Sequence, residues 1–365
     1  MSKIRLGDIA DIQAGPFGTQ LHKDEYVDKG IPMLNSKNIG NGSIVTSSLD
    51  YVSPSICSRL PNYVLKTGDI LFGRAGTIER HAYLPAQYNG CFQGTNCIRI
   101  RCYDEKKALF ISYFLWTKQV KQTIENSAGG SIQSYITTDL LKSLFVEIPD
   151  NYEEIADLLI ALDNKIENNY KINDNLEQVI KSCFDFMFAT KNPNGIINDI
   201  LCEHPKSTIQ VNDSVGVSGD YPFFTSGETV NEWQTALVDG MNCYLSTGGN
   251  ATIKGYYGKA AYSTDTWCVF GKGEYSFYLY SYLKSIIRSI NDSFFAGSGL
   301  KHLQKDSLVL VKLYIPTEDE LKKFNLVVKP AMETMAKLFI ETKKLKQQRD
   351  FLLPLLMNGQ ATIAE

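Results

Sequence analysis

Residues 151–188 read NYEEIADLLIALDNKIENNYKINDNLEQVIKSCFDFMF, and one residue stripe recurs there at alternating steps of four and three. The stripe, which we call the first seam, is Ile155, Leu159, Leu162, Ile166, Asn169, Asn173, Leu176, Ile180, Cys183 and Met187. This spacing is typical of a coiled-coil helix, which here rises roughly 48 Å. Asp150 or Asn151 can cap its start, and the two seam asparagines fix the register at a cost in stability.

Residues 318–356 repeat the spacing more weakly. This second seam is Leu321, Phe324, Val328, Ala331, Met335, Leu338, Thr342, Leu345, Arg349, Leu352 and Leu356. Because proline lacks a backbone N–H, we expect Pro330 to kink this helix or divide it in two. Each seam needs a partner, so we predict that the two helices pair antiparallel within one chain. A homodimeric coiled coil is the alternative.

The remaining sequence contains two sets of similar motifs in the same order. GIPMLNS (30–36) resembles DYPFFTS (220–226), GDILFGRAG (68–76) resembles GMNCYLSTGG (240–249), and TNCI (95–98) matches TWCV (266–269). A small-residue loop and a strand ending in Ile-Pro then follow in both halves, up to 149 and 316. β-branched and aromatic residues between Gly, Asn and Pro predict short strands, and helical spacing predicts short helices at 109–125 and 277–291.

These patterns predict a mixed α+β fold. Two similar strand-rich domains, 1–150 and 191–316, are separated by two long antiparallel coiled-coil helical regions, 151–190 and 317–365, as a pseudo-twofold dumbbell. The alternative for either seam is a core helix of a larger globule.

Composition narrows the class of protein. A length of 365 residues favours about two domains. Apolar residues make up 44% of the chain, yet no apolar run reaches the ~18 residues of a membrane span, and residues 1–8 lack a secretory signal, so we expect a cytoplasmic protein with no membrane contact. The eight cysteines form no Cys-x-x-Cys pair, so we expect reduced thiols and no metal site. With a net charge of −3, any DNA contact must use local patches.

Six motifs carry a family resemblance over essentially the whole chain. They are RLGDIA (5–10), GDILFGRAGTI (68–78), YPFFTSG (221–227), LSTGGNA (245–251), AYSTDTW (261–267) and RDFLLPLLMNG (349–359). Duplicated and followed by long helices, they make the chain resemble the specificity (S) subunit of type I restriction-modification systems.

This resemblance implies a function and partners. The two domains would be target-recognition domains, each reading one half of a bipartite asymmetric target in double-stranded DNA. The helical regions would space these domains and dock two methyltransferase (M) subunits, and restriction/translocase (R) subunits would join for cleavage. Adenine-N6 methylation and ATP-dependent cleavage, with S-adenosylmethionine, ATP and Mg, would belong to those partners, so this chain would need no cofactor.

DNA recognition needs polar side chains on exposed loops. The predicted DNA-binding candidates are Asn35, Ser36, Lys37, Asn38, Arg74, Arg80, Ser131, Gln133, Ser134, Tyr135, Thr225, Ser226, Asn250, Lys254, Tyr256, Lys301 and His302. Arg74 can fork onto guanine, bind a phosphate, or stabilise its turn by a salt bridge. The other candidates lie in stretches that can equally be plain surface turns or a hairpin with exposed tyrosines.

The sequence shows no catalytic motif. STGGN (246–250) lacks the phosphate-binding pattern Gly-x-x-x-x-Gly-Lys-Ser/Thr, and NPNG (192–195) lacks the second proline and the aromatic residue of adenine methyltransferases. We therefore predict a non-catalytic DNA-recognition subunit. A two-domain protein-interaction scaffold without DNA binding, and an enzyme with an unrecognised site between the domains, stay as alternatives.

Overall fold

The computed structural model describes residues 2–74, 80–127, 135–297, 299 and 301–361. It divides into two compact units. The first comprises Met1–Asn164 and Leu345–Glu365, and the second comprises Lys165–Lys344. Both units contain helices and strands, as the sequence predicts for a mixed α+β chain.

In the first unit, most strands form two four-stranded sheets. The elements are β1 (Ser2–Arg5), α1 (Leu6–Ile9), β2 (Ala10–Ala14), β3 (Tyr26–Val27), β4 (Ile31–Leu34), β5 (Asp50–Val52), α2 (Pro54–Arg59), β6 (Ile70–Gly73), β7 (His81–Tyr83), β8 (Phe92–Gln93), β9 (Cys97–Cys102), α3 (Glu105–Leu115), α4 (Lys118–Ser127), α5 (Thr138–Ser143) and β10 (Phe145–Ile148). The sheet orders are β2-β9-β6-β7 and β3-β5-β4-β8, and β1 pairs with β10. Only β4 and β8 pair in parallel among these described strands.

The second unit repeats this topology. After α6 (Tyr152–Phe188) come β11 (Gly195–Ile196), α7 (Ile197–Ile200), β12 (Leu201–Glu203), β13 (Tyr221–Phe224), β14 (Val230–Trp233), β15 (Met241–Ser246), β16 (Ile253–Tyr257), β17 (Ala261–Tyr262), β18 (Thr266–Gly271), α8 (Ser276–Ser285), α9 (Ile287–Ser293), β19 (Phe295–Ala296), β20 (His302–Leu303), α10 (Lys305–Leu308), β21 (Lys312–Leu313) and α11 (Glu318–Met357). The sheet orders are β12-β18-β15-β16 and β14-β13-β17, with β13 and β17 parallel, and two further pairs are β11-β21 and β19-β20.

Strand register defines the repeat at the residue level. Gly73 pairs with Cys97 in the first unit, and Ser246 pairs with Thr266 at the same place in the second. The expected match of 95–98 with 266–269 is therefore wrong by two residues. Thr95 and Asn96 correspond instead to 264 and 265, because backbone pairing and not the shared cysteine sets the alignment.

The two predicted short helices are each divided. Residues 109–125 fall in α3 and α4, which are separated at 116–117. There the amides of Trp116 and Thr117 bond to carbonyls three residues back, and the Thr117 hydroxyl donates to the Phe114 carbonyl at 2.7 Å. This tightening ends the α-helical pattern. Residues 277–291 divide at Ile286, whose amide donates to the Tyr282 carbonyl at 3.2 Å.

Pro330 does not divide α11, which runs as a single helix from Glu318 to Met357. The expectation of two helices is therefore wrong. Proline removes the hydrogen bond to the carbonyl four residues back, which belongs to Leu326. Leu326 and Pro330 are both exposed, so water can hydrate that carbonyl.

The long helices run antiparallel where they meet. In the second unit Asn169 Nδ2 donates to Thr342 Oγ1 at 3.1 Å, and Lys191 Nζ lies 3.1 Å from Glu320 Oε1. In the first unit Arg349 Nη1 lies 2.8 Å from Asp163 Oδ1. Every position of both seams is buried or half-buried. The chain thus pairs its own seams, as distinct from the homodimeric alternative.

All eight cysteines are free thiols. The pKa of Cys102 is raised to about 12, mainly because the thiol is buried. Within the described ranges, no helix is both long and apolar enough to cross a membrane.

Candidate nucleic-acid interface

The ends of several strands meet at one edge of the first unit. The Arg74 amide, just after β6, donates to the Asn96 carbonyl at 2.9 Å, and the Ile136 amide donates to the Arg74 carbonyl at 3.2 Å. The Asn96 amide donates to Asn35 Oδ1 at 3.2 Å. We call Asn35, Ser36, Arg74, Asn96 and Tyr135 the first edge.

The first edge presents amide and guanidinium groups. Asn96 is exposed, and Arg74 and Asn35 are half-buried. A Cβ on Gly94 would lie 2.4 Å from Asn35 Oδ1, so glycine permits this close packing. Guanidinium and amide groups can form paired hydrogen bonds with guanine and adenine, respectively, or contact phosphates.

The second unit builds the same frame with other residues. The Thr247 amide donates to the Asp265 carbonyl at 3.2 Å, and the Leu303 amide donates to the Thr247 carbonyl at 3.0 Å. The Gly249 amide donates to the Lys301 carbonyl at 2.9 Å, which places 247–250 beside β20. We call Ser226, Thr247, Asn250, Asp265, Lys301 and His302 the second edge.

The two edges differ in chemistry at equivalent positions. Arg74 corresponds to Thr247, and Asn96 corresponds to Asp265. Tyr135 precedes Ile136 as His302 precedes Leu303. One backbone arrangement therefore carries a cation and an amide in the first unit, but a hydroxyl and a carboxylate in the second.

Comparison with known proteins finds a family that the first half of the chain resembles. Residues 1–178 match the family model described as "Type I restriction modification DNA specificity domain". The first half of the chain is therefore similar to that family. The resemblance seen in the sequence motifs is thereby confirmed.

Individual relatives extend the likeness along the chain. The type I restriction enzyme MjaVIII specificity subunit of Methanocaldococcus jannaschii is 23% identical over 203 residues, which cover 52% of this chain and 45% of that subunit. The chain thus spans less than half of that relative's length. The MjaIX specificity subunit of the same organism is 22% identical over an alignment 409 residues long, covering 99% of this chain and 93% of that subunit.

A solved structure shows the fold. The crystal structure of a type I restriction-modification S subunit from M. genitalium matches with a TM-score of 0.65 at 15% identity. The match covers 100% of this chain and 96% of that one. The mixed α+β class is thereby confirmed over the whole chain.

Eight of the predicted DNA-binding candidates lie at the first or the second edge. They are Asn35, Ser36, Arg74, Tyr135, Ser226, Asn250, Lys301 and His302. Lys37 is half-exposed and lies 2.9 Å from Asp50, and Arg80 is exposed with its carbonyl accepting from the Gly73 amide. Ser131, Gln133 and Ser134 lie outside the described residues.

The prediction of Asn38 as a DNA contact is wrong, because this residue closes its own loop. It is 1% exposed, and its Nδ2 donates to the carbonyls of Val45 at 2.9 Å and Ser48 at 3.0 Å. Its own carboxamide oxygen accepts from the Asn35 amide at 3.0 Å. Because its amide group is used inside the loop, it has no surface to offer a base.

Thr225, Lys254 and Tyr256 are corrected in the same way. The buried Thr225 hydroxyl donates to the Thr229 carbonyl at 2.7 Å, and Lys254 Nζ donates to the carbonyls of Thr225 and Gly227. Burial lowers the pKa of Lys254. Tyr256 is buried among aromatic rings that include Phe224. These side chains hold the 225–229 turn together.

Sequence reasoning missed three edge residues, Asn96, Thr247 and Asp265, and two neighbouring cations. Asn96 and Asp265 are exposed immediately before β9 and β18, and their position at a strand end was the available signal. Lys305 Nζ lies 4.9 Å from the centroid of the Trp267 ring. Burial lowers the pKa of Lys305, and the charge of nearby Lys206 lowers it further. These lysines add positive charge near β20.

A cavity of about 320 Å³ in the second unit lies apart from these edge residues. Its charged lining is mixed, with Asp220 and Glu333 against Lys259 and Lys337. Among the predicted DNA-binding candidates only Tyr256 lines it. The cavity therefore offers no concentrated charge for a nucleic acid.

Proposed function

We propose that this chain is the sequence-specific DNA-binding specificity subunit of a type I restriction-modification complex. The observation that carries the proposal is the pair of edges, which share one backbone frame and differ in their side chains. Such a pair suits a bipartite, asymmetric target in double-stranded DNA, with one half read by each edge. The DNA specificity domain family of residues 1–178 supports the same function.

Each edge favours different base contacts. In the first edge, the Arg74 guanidinium can pair with guanine. The side-chain carboxamides of Asn35 and Asn96 suit adenine. In the second edge, Asp265 can accept from the amino group of cytosine, and Lys301 can contact a phosphate or guanine. Two unlike half-sequences follow from these differences.

The division of labour along the chain is part of the proposal. Residues 1–150 and 191–316 are the target-recognition domains, and 151–190 and 317–365 are the helical regions that space them. Two M subunits dock on these helices, and R subunits join for cleavage. The chain itself is non-catalytic and holds no cofactor, and S-adenosylmethionine, ATP and Mg bind to those partners.

An uncharged stripe on α6 supports the docking of an M subunit. Ile172, Val179 and Phe186 recur at steps of seven residues and are exposed, Phe186 by 91%. The exposed neutral residues Asn168, Asn175 and Ser182 recur at the same step beside them. Faces that lack charge and carry apolar side chains are typical of the core of protein–protein interfaces. With a net charge of −3 on this chain, the docked partner would also supply positive charge for the DNA phosphates.

The proposal is tested by selecting duplexes from a random pool with the full chain and its M partner. We expect two conserved sequence blocks separated by a gap of fixed length. The M partner alone serves as the control and should enrich neither block. Recovery of no enriched sequence, or of one uninterrupted block, would overturn the proposed function.

A further inference from the structure

Phe17 is an exposed aromatic residue on a firmly anchored turn between β2 and β3. Its side chain is 58% exposed. Single exposed apolar residues are common, but this one has an unusual support. The Phe17 amide donates to Gln20 Oε1 at 3.1 Å, and its carbonyl accepts from the amides of Gln20 at 2.8 Å and Leu21 at 3.1 Å.

The base of the turn is fixed to the rest of the first unit. The Tyr63 hydroxyl donates to Gln20 Oε1 at 3.0 Å, and Arg59 Nη2 donates to the Gln20 carbonyl at 3.0 Å. Arg59 is itself held by Glu25 at 2.7 Å, and Leu21 is buried. The backbone that carries the exposed ring is therefore ordered, so binding through Phe17 would cost little additional backbone ordering.

This turn adjoins the first edge. The Gly15 amide donates to the Cys97 carbonyl at 2.8 Å, next to Asn96. A Cβ on Gly15 would lie 2.0 Å from the Gly94 carbonyl oxygen, so the two backbone segments touch. Phe17 follows two residues after this contact, so its backbone lies within about 7 Å of Gly15, near the end of β9 that Asn96 precedes.

We propose that Phe17 stacks on a base, or wedges into a base step, of DNA bound at the first edge. The inference rests on the proposed function, because it needs DNA at that edge. A planar apolar ring beside guanidinium and amide groups suits the face of a base next to its polar edge. By strand register β12 is the counterpart of β2, and residues 204–220 after β12 contain no Phe, Tyr or Trp, so the stacking is confined to one half of the target.

Tryptophan fluorescence tests the contact directly. The test uses the full chain with its M partner and the duplex enriched in the selection described above. Phe17→Trp should lose emission on binding this duplex, after subtraction of the wild-type signal, because a stacked base quenches indole. Tyr103→Trp is the matched control, since Tyr103 is 72% exposed and follows the opposite end of β9. Its emission should not change.

Affinity for the same duplex gives a second measure. Phe17→Ala should weaken binding about 10-fold, as expected when one stacked base is lost, and Phe17→Tyr should restore it. Tyr103→Ala should bind as the wild type does. If the wild type enriches no duplex, the proposed function fails and this inference fails with it. If the wild type binds its duplex, but the emission of the Phe17→Trp variant is not quenched or Phe17→Ala binds within about twofold of wild type, the stacking role alone is overturned.

Discussion

Two asparagines of one loop, Asn35 and Asn38, show what decides a binding residue. Both follow β4 and look equivalent in the sequence. Asn38 is buried and uses its amide to close the loop, whereas Asn35 is half-buried and supports the exposed Asn96. Sequence can therefore predict that a loop is polar. It cannot predict which polar groups form hydrogen bonds within the loop and are thus unavailable to a ligand. Thr225 and Lys254 were misjudged for the same reason.

Arg74 gives the sharpest prediction at the residue scale. Arg74→Ala should reduce affinity for the selected duplex about 10-fold and relax the preference at one position in one half, because a paired guanine contact is lost. Binding of duplexes substituted at each position, measured by fluorescence anisotropy, checks this. Lys106→Ala, on α3 beyond the opposite end of β9, is the control. Equal weakening on all duplexes would instead assign Arg74 to a phosphate.

At the scale of elements, the two long helices were the most predictable part of the chain. Their seams recur over so many turns that the periodicity outweighs local exceptions, and α6 begins and ends within two residues of the predicted region. Division of the helix, one of the two outcomes expected at Pro330, was wrong, since water can hydrate the Leu326 carbonyl that the proline leaves unpaired. Short elements such as α3 and α4 were merged, because a single turn of tightened backbone leaves no periodic signal.

The buried Asn169 should stabilise the helix pair. Asn169→Ala removes the bond to Thr342 Oγ1 and leaves that hydroxyl buried, so the free energy of unfolding should fall by about 1–3 kcal/mol. Urea denaturation measures this change. Asn168→Ala, the exposed neighbouring residue, is the control and should change stability little. Equal stability of both variants would show that the Asn169 bond contributes nothing.

The lowered pKa of Glu320, at the start of α11, predicts that the free energy of unfolding depends on pH. The Thr317 amide and the Tyr314 hydroxyl, with Lys191, lower the pKa of Glu320 to about 2. A depressed carboxyl pKa stabilises the fold above the unfolded-state pKa of about 4.3 and loses this effect as pH falls towards 2. Glu320→Gln should thus cost about 1 kcal/mol at pH 7, since solvent screens a half-exposed group, and progressively less below pH 4.

Urea midpoints measured from pH 7 to pH 3 test this prediction. Glu318→Gln, in the same first turn of α11, is the control for loss of a negative charge near the helix N-terminus. A Glu320→Gln deficit that stays constant across this range would contradict the assigned role of the carboxylate.

At the scale of the whole molecule, the repeat in the sequence predicted two similar units, and the strand orders bear out that similarity. The edges could not be predicted in full. Asn96 and Asp265 become binding candidates only when β9 and β18 bring them beside residues far away in the chain. Correct alignment of the two halves also needed strand pairing, since the TNCI and TWCV motifs matched in the wrong register.

We propose that each edge reads one half of a bipartite target. A domain exchange tests this division between the two edges. Residues 1–150 are replaced with the corresponding domain of another specificity subunit, and the selection from random duplexes is repeated with the M partner. We expect one sequence block to change while the other block stays the same. A change in both blocks, or in neither, would contradict the proposal.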